Sequence, residues 1–233
     1  MQTTRREFLG AAAAATTIAA AGALVAPAGA QTALDPHVTG ISRDTLLARW
    51  SARRAAHRQV FIASRPNGNV FTYVRNSLNG YQFGWNEGPG SLYPLVILNG
   101  LGVVQGANDA MWTKYKLASV LAANNAALRV PADGNPWYAA RSGSRNDGDI
   151  AAPFNQDTGI ATLMQRGMDM LVCDTALGTL ALAVVGAGAA TDPNAVRADV
   201  RANLISGALL VPSGAATLDY AQSQHFTLYD ANV

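Results

Sequence analysis

The sequence predicts an α/β fold: a mostly parallel sheet of about five strands with helices on both faces. Three observations carry that prediction. Short apolar runs of strand length alternate with segments whose apolar residues recur at helical spacing, so successive strands need helical crossovers. Two of the runs, Leu92–Leu98 and Met168–Cys173, are almost continuously apolar, the pattern of strands buried on both faces. The 233 residues, 49% hydrophobic and 14% charged, also suffice for one sizeable core. They fall short of the roughly 250–300 residues at which chains usually divide.

Taken in order, Leu34–Ala56 reads as an N-terminal helical extension within 31–56, with Leu46, Leu47 and Trp50 on its buried side. The α/β domain then occupies 57–233. Gln59–Ala63 predicts a first strand, stopped by the turn cluster Ser64-Arg65-Pro66-Asn67-Gly68. Phe71, Val74, Leu78 and Tyr81 predict a helix, Leu92–Leu98 a strand, and the stripe from Val103 through Tyr115 a helix to about Ala122. Residues 124–157 lose all periodicity and read as an insertion, longer than the usual limit of about 12–15 residues for a structureless loop. A lid, an oligomer arm or disorder fits such a stretch. Ile160, Leu163 and Met164 resume helical spacing before the strand Met168–Cys173, and Ala176–Val185 has a buried-helix pattern. Asp192-Pro193 caps the next helix, with proline at its first position. Ala208–Val211 predicts a strand, Ala215–Gln222 a helix and Phe226–Tyr229 a last strand.

The first thirty residues read as an address. Arg5-Arg6 with Phe8-Leu9, a weakly hydrophobic Ala/Gly-rich run from Gly10 to Ala26, and Ala28-Gly29-Ala30 follow the grammar of an exported bacterial precursor. The paired arginines resemble the twin-arginine (Tat) signal. The expectation is cleavage after Ala30 and a periplasmic protein that meets the Tat translocase during export and keeps no stable membrane span. Tat cargo crosses the membrane folded, often with a cofactor already loaded, so the signal leaves the cofactor unknown. Seventeen basic against 15 acidic residues, with no basic stripe, argue against nucleic acid as a partner. A single cysteine, Cys173, excludes an internal disulfide framework and a cysteine-rich zinc site, and the sequence points to no metal.

In an open parallel sheet, ligands gather at the carboxyl ends of the strands. That rule points to Ser64, Asn99-Gly100, Cys173-Asp174 and Pro212-Ser213-Gly214. Cys173 ends a strand and precedes a helix, where the helix N-terminus favours a nucleophilic thiolate; the bland alternative is an inert buried cysteine. Gly100-Leu101-Gly102 with Gly106 only superficially resembles a dinucleotide loop, because no acidic residue closes a following strand. Ser213 lies outside the G-x-S-x-G elbow, so its hydroxyl suits a helix cap better than a triad with His225. Arg129, Arg141 and Arg145 could clasp an anion, although solvated loop charges are the simpler reading. His57 reads as a surface residue and His225 as a turn residue.

Several segments in order resemble the DsrE/DsrF-like sulfur-relay family. They are Val74-Arg75-Asn76-Ser77-Leu78-Asn79, Leu95-Val96-Ile97-Leu98-Asn99-Gly100, Asp109-Ala110-Met111-Trp112-Thr113-Lys114-Tyr115, Met170-Leu171-Val172-Cys173, and Leu210-Val211-Pro212-Ser213-Gly214 with Ala221-Gln222. The likeness runs from about Gln59 to Tyr229, interrupted by the insertion. It implies a DsrE/DsrF-like α/β sandwich, a homo-oligomer, and a cysteine at position 173 that takes sulfane sulfur as a persulfide from a donor and passes it to an acceptor. On that expectation the amides near Asn99, Gly100, Ser213 and Gly214 hold the anion, and Asp174 is a neighbour rather than a base. The chain departs from a relay in having no second cysteine. The competing expectation is a non-catalytic binding or assembly module with Cys173 structural. Whether the protein is an enzyme stays open at this point.

Overall fold

A computed structural model describes residues 40–125, 130, 134–139 and 148–232. The expected signal at 1–30, the start of the expected N-terminal extension, and Arg129, Arg141 and Arg145 lie outside the described residues. Five strands form one all-parallel sheet: β1 (His57–Ala63), β2 (Leu92–Leu98), β3 (Asp169–Cys173), β4 (Leu209–Val211) and β5 (Thr227–Asp230). Their spatial order is β4-β3-β2-β1-β5. The chain therefore steps from β1 to β4 in one direction and then returns across the sheet to lay β5 beside β1.

Side-chain alternation divides the core into two layers. Phe61, Val96, Leu98, Met170 and Val172 face the helices that join the first four strands. Those helices are α2 (Asn69–Asn79), α3 (Asp109–Lys114), α4 (Leu117–Asn124), the four-residue α5 (Pro153–Gln156), α6 (Ile160–Gln165), α7 (Asp174–Gly186) and α8 (Pro193–Ala202). Val60, Tyr93, Leu95, Ile97 and Leu171 face the other way, onto α1 (Arg43–Ala52) and α9 (Gly214–Ser223). β2 is buried at all seven positions because it has a strand on either side and helices above and below. Among the described residues no helix is long and apolar enough to cross a membrane.

Three expectations need correction. Among the described residues the N-terminal helix runs over Arg43–Ala52 and stops short of Ala56; Ser42 Oγ accepts the Thr45 N–H at 3.1 Å, and the helix buries Leu46 and Trp50 but leaves Leu47 36% exposed. One position beyond Leu46 turns the side chain about 100° around the axis, off the apolar stripe. The stripe expected to form one helix to Ala122 is three pieces: a 3-10 helix at Gly100–Gly106, then α3 and α4. Asn108 starts α3 by accepting the Met111 N–H at 3.2 Å, and Lys116 at φ +50° separates α3 from α4. A run spaced three to four apart fits either helix type. Finally, the described parts of the insertion are packed. The Asn135 amide donates to the Gln105 and Ala107 carbonyls at 2.7 and 2.9 Å, and Trp137 meets Trp112 edge-on at 5.6 Å.

At the amino end of the sheet, α1 is tied down by charge. Asp169 accepts two bonds from Arg49, one from Arg53 at 3.3 Å and one from the Tyr93 hydroxyl. Burial pushes its carboxyl up, but the bonds from Arg49 and Tyr93 and the nearby guanidinium charges outweigh this and hold it below its ordinary 3.8. Tyr93 moves the opposite way, raised by burial and then by the Asp169 carboxylate. A carboxyl depressed on folding stabilises fully above its ordinary value, and that stabilisation is lost as the pH falls through the folded value. Denaturation midpoints should therefore fall as the pH drops below 3.8. The Asp169→Asn variant should lose part of that slope; an identical acid profile would show that Asp169 carries none of it.

Candidate functional site

The topology brings two loops together at the carboxyl edge. The chain leaves β3 toward α7 on one face of the sheet, whereas it leaves the neighbouring β4 toward α9 on the other. Adjacent strands whose loops depart to opposite faces open a crevice, the usual ligand position in such sheets.

Cys173 lies in that crevice. It is the last residue of β3 and the N-cap of α7. Its Sγ accepts the Ala176 N–H at 3.4 Å, from the first turn of α7, and the Gly214 N–H at 3.0 Å, from the first residue of α9. Two helix N-termini, each with its partial positive charge, thus converge on one sulfur. The side chain is 2% exposed.

Gly214 is needed for that closeness. A Cβ there would stand 3.3 Å from Cys173 Cβ and from Ile97 Cγ2, and 3.4 Å from Asn99 Cγ. Three expected site residues, Asn99, Cys173 and Gly214, therefore meet. Gly100 does not: at φ +46° it turns toward β1, and a Cβ on it would lie 3.0 Å from the Ser64 carbonyl. Ser213 turns its hydroxyl to the Ala216 N–H at 3.4 Å and caps α9, so it shapes the crevice without touching the sulfur. The glycine run after β2 is a packing device. Cβ atoms at Gly102 and Gly106 would approach the Ala63 carbonyl oxygen to 2.3 Å and Val172 Cγ2 to 2.7 Å, so protein occupies the space a pyrophosphate would need.

Asp174 is wholly buried and committed elsewhere. It accepts from Arg197 at 2.6 Å and from both nitrogens of the Arg201 fork at 2.7–3.0 Å, which directs its charge to α8. Sequence reasoning missed this pair of arginines, although their spacing of four on a helix with a buried opposite face was a usable signal. It also missed Gln105, fully buried in the 3-10 helix with neither amide atom paired among the described residues.

No family model, no curated protein and no solved structure matches this chain.

The imidazoles sit at the far end of the sheet. His57 opens β1 and pairs with Glu87 at 2.7 Å, and His225 precedes β5 at φ +65°. Neither is placed to take a proton from Cys173, and among the described residues no three His, Cys, Asp or Glu side chains gather as a metal site would need. What the crevice offers is a sulfur with two fixed N–H donors, a neighbouring carboxamide, and no carboxylate turned toward it. That combination accommodates negative charge on sulfur, the form in which sulfur is a nucleophile.

Proposed function

We propose that this protein is an exported, DsrE/DsrF-like carrier of sulfane sulfur that holds a persulfide on Cys173. The observation that carries the reading is the convergence of the α7 and α9 N-termini on Sγ at the crevice between β3 and β4. In the loading step, Cys173 Sγ attacks the outer sulfur of a donor persulfide, R–S–SH. A new S–S bond forms to Cys173, the donor's S–S bond breaks, and the donor leaves as a thiolate that takes up the proton Cys173 has lost. No oxidant or reductant is consumed. The Gly214 and Ala176 N–H groups stabilise anionic sulfur before and after transfer, and the Asn99 carboxamide lies beside Gly214. Unloading is the same exchange with an acceptor thiol. With one cysteine per chain, the relay partner belongs to another molecule. The twin-arginine pattern at Arg5-Arg6 supports a periplasmic location for this chemistry, and the family likeness supports a homo-oligomer.

A second reading is favoured by one observation, the 2% exposure of Cys173: a binding or assembly module in which the sulfur is core packing. Intact mass of protein purified from the periplasm, before and after reductant, separates the two. A reductant-labile gain of one sulfur atom, absent from Cys173→Ser, is the expected result. An unmodified mass, with Cys173 silent to iodoacetamide until the chain unfolds, overturns the carrier and leaves the binding module.

A further inference from the structure

Cys173 is 2% exposed, so a donor persulfide reaches its sulfur only when one wall of the crevice moves aside. The two walls are held differently. The first turn of α7 is fixed by wholly buried Asp174, which accepts four hydrogen bonds from Arg197 and Arg201 of α8. Facing it is the turn Pro212-Ser213-Gly214, which joins β4 to α9. β4 is a three-residue edge strand whose Leu209 and Leu210 are half-buried. An edge strand has ladder bonds on one side only, and from outside the sheet β4 gains one bond, from the Ile41 N–H to the Leu210 carbonyl at 2.8 Å.

Among the described residues, three hydrogen bonds tie that turn to the wall of α7. The Gly214 N–H reaches Cys173 Sγ at 3.0 Å. The Pro212 carbonyl accepts twice from Thr175, from its N–H at 3.3 Å and from its Oγ1 at 2.9 Å. The bonds that Ser213 accepts, from Thr217 at its carbonyl and from the Ala216 N–H at its hydroxyl, lie within α9 and travel with the turn. Thr175 is exposed, and its hydroxyl nevertheless spans the crevice to the opposite wall instead of turning to solvent. Opening the turn therefore exchanges a few neutral hydrogen bonds for bonds to water, a local event that leaves both hydrophobic layers in place.

Building on the carrier reading of Cys173, we propose that the turn Pro212-Ser213-Gly214 is a gate over the sulfur and that Thr175 is its clasp, a positioning residue that sets how often the crevice is open to a donor. Closed, the gate supplies the Gly214 N–H that stabilises anionic sulfur. Open, it admits the outer sulfur of the donor.

The rate of Cys173 alkylation by iodoacetamide in the native protein, followed by intact mass, reads the open population and needs no sulfur transfer. Thr175→Val keeps the shape of the side chain and removes the hydroxyl donor, whereas Thr175→Ser keeps the donor. Alkylation should be about 2- to 10-fold faster in Thr175→Val, the size of one neutral hydrogen bond, and close to the parent rate in Thr175→Ser. Its rate should also respond to urea more weakly than global unfolding does, because a local opening exposes little surface. An unchanged rate in Thr175→Val, or a urea response equal to that of global unfolding, overturns the gate. Faster alkylation in Thr175→Val without any reductant-labile sulfur on Cys173 overturns the carrier and upholds the gate. Sulfur loading with alkylation indifferent to Thr175→Val does the reverse.

Discussion

Replacing Asp174 with alanine should cost about 3–5 kcal/mol of folding stability, the range for removing one partner of a buried ion pair. The carboxylate has no exposure, while the side chains of Arg197 and Arg201 keep only 18% and 23% of theirs. Without Asp174, two guanidiniums stay largely desolvated with no counter-charge, and α8 loses its main polar tie to the start of α7. The effect should reach the sulfur as well. Asp174 is the residue after Cys173, so loosening the first turn of α7 removes the constraint on the Ala176 N–H. Denaturant unfolding at neutral pH gives the stability and the rate of native Cys173 alkylation gives the opening; the first should fall and the second rise. A loss under about 1 kcal/mol, as for solvent-exposed pairs, would mean that the arginines swing into water.

Gly102→Ala is the second large effect. Its Cβ would stand 2.3 Å from the Ala63 carbonyl oxygen and 3.0 Å from that carbonyl carbon, and both belong to backbone inside the sheet. A rotamer change cannot relieve such a contact, so the 3-10 helix must withdraw from the end of β1. Overpacking of this kind costs about 1–3 kcal/mol and occasionally more, and the upper end is expected because the neighbour is main chain. If Cys173 carries sulfur as proposed, displacing the turn at Asn99-Gly100 should also slow its loading. Gly178→Ala is the control: it lies within α7 with nothing within 4 Å of a Cβ, and should be neutral or stabilising by up to about 1 kcal/mol. Equal melting temperatures for the two variants would mean that the close approach at Gly102 relaxes without cost.

Much of the fold was legible before the structure because strands and caps advertise themselves locally. Leu92–Leu98 is a strand over those very residues, since only a central strand needs seven consecutive core-facing side chains. Asp192 accepts the Asn194 N–H at 2.9 Å and Pro193 occupies the first helical position, as the dipeptide predicted. Misreadings arose where period alone was ambiguous, as between Gly100 and Asn124, or where packing rested on a few anchors. Asn135 and Trp137 hold the described part of the insertion without any periodic pattern.

The candidate site divides along the same line. Cys173, at the end of an apolar run before a helix, could be found from its own neighbourhood. Its second N–H donor could not, because Gly214 lies 41 residues away and reaches the sulfur only through the order β4-β3-β2-β1-β5. The Arg49–Asp169 bond spans 120 residues and depends on which strand starts beside α1. By itself the sequence determined where the five strands and the well-capped helices form, which faces most of them bury, and that a lone thiol ends a strand. Only the tertiary structure decided what faces that thiol and which charges are paired. Hydrophobic period and capping are properties of a few successive residues, whereas a hydrogen bond between distant segments exists only once strand order and crossover side bring them together.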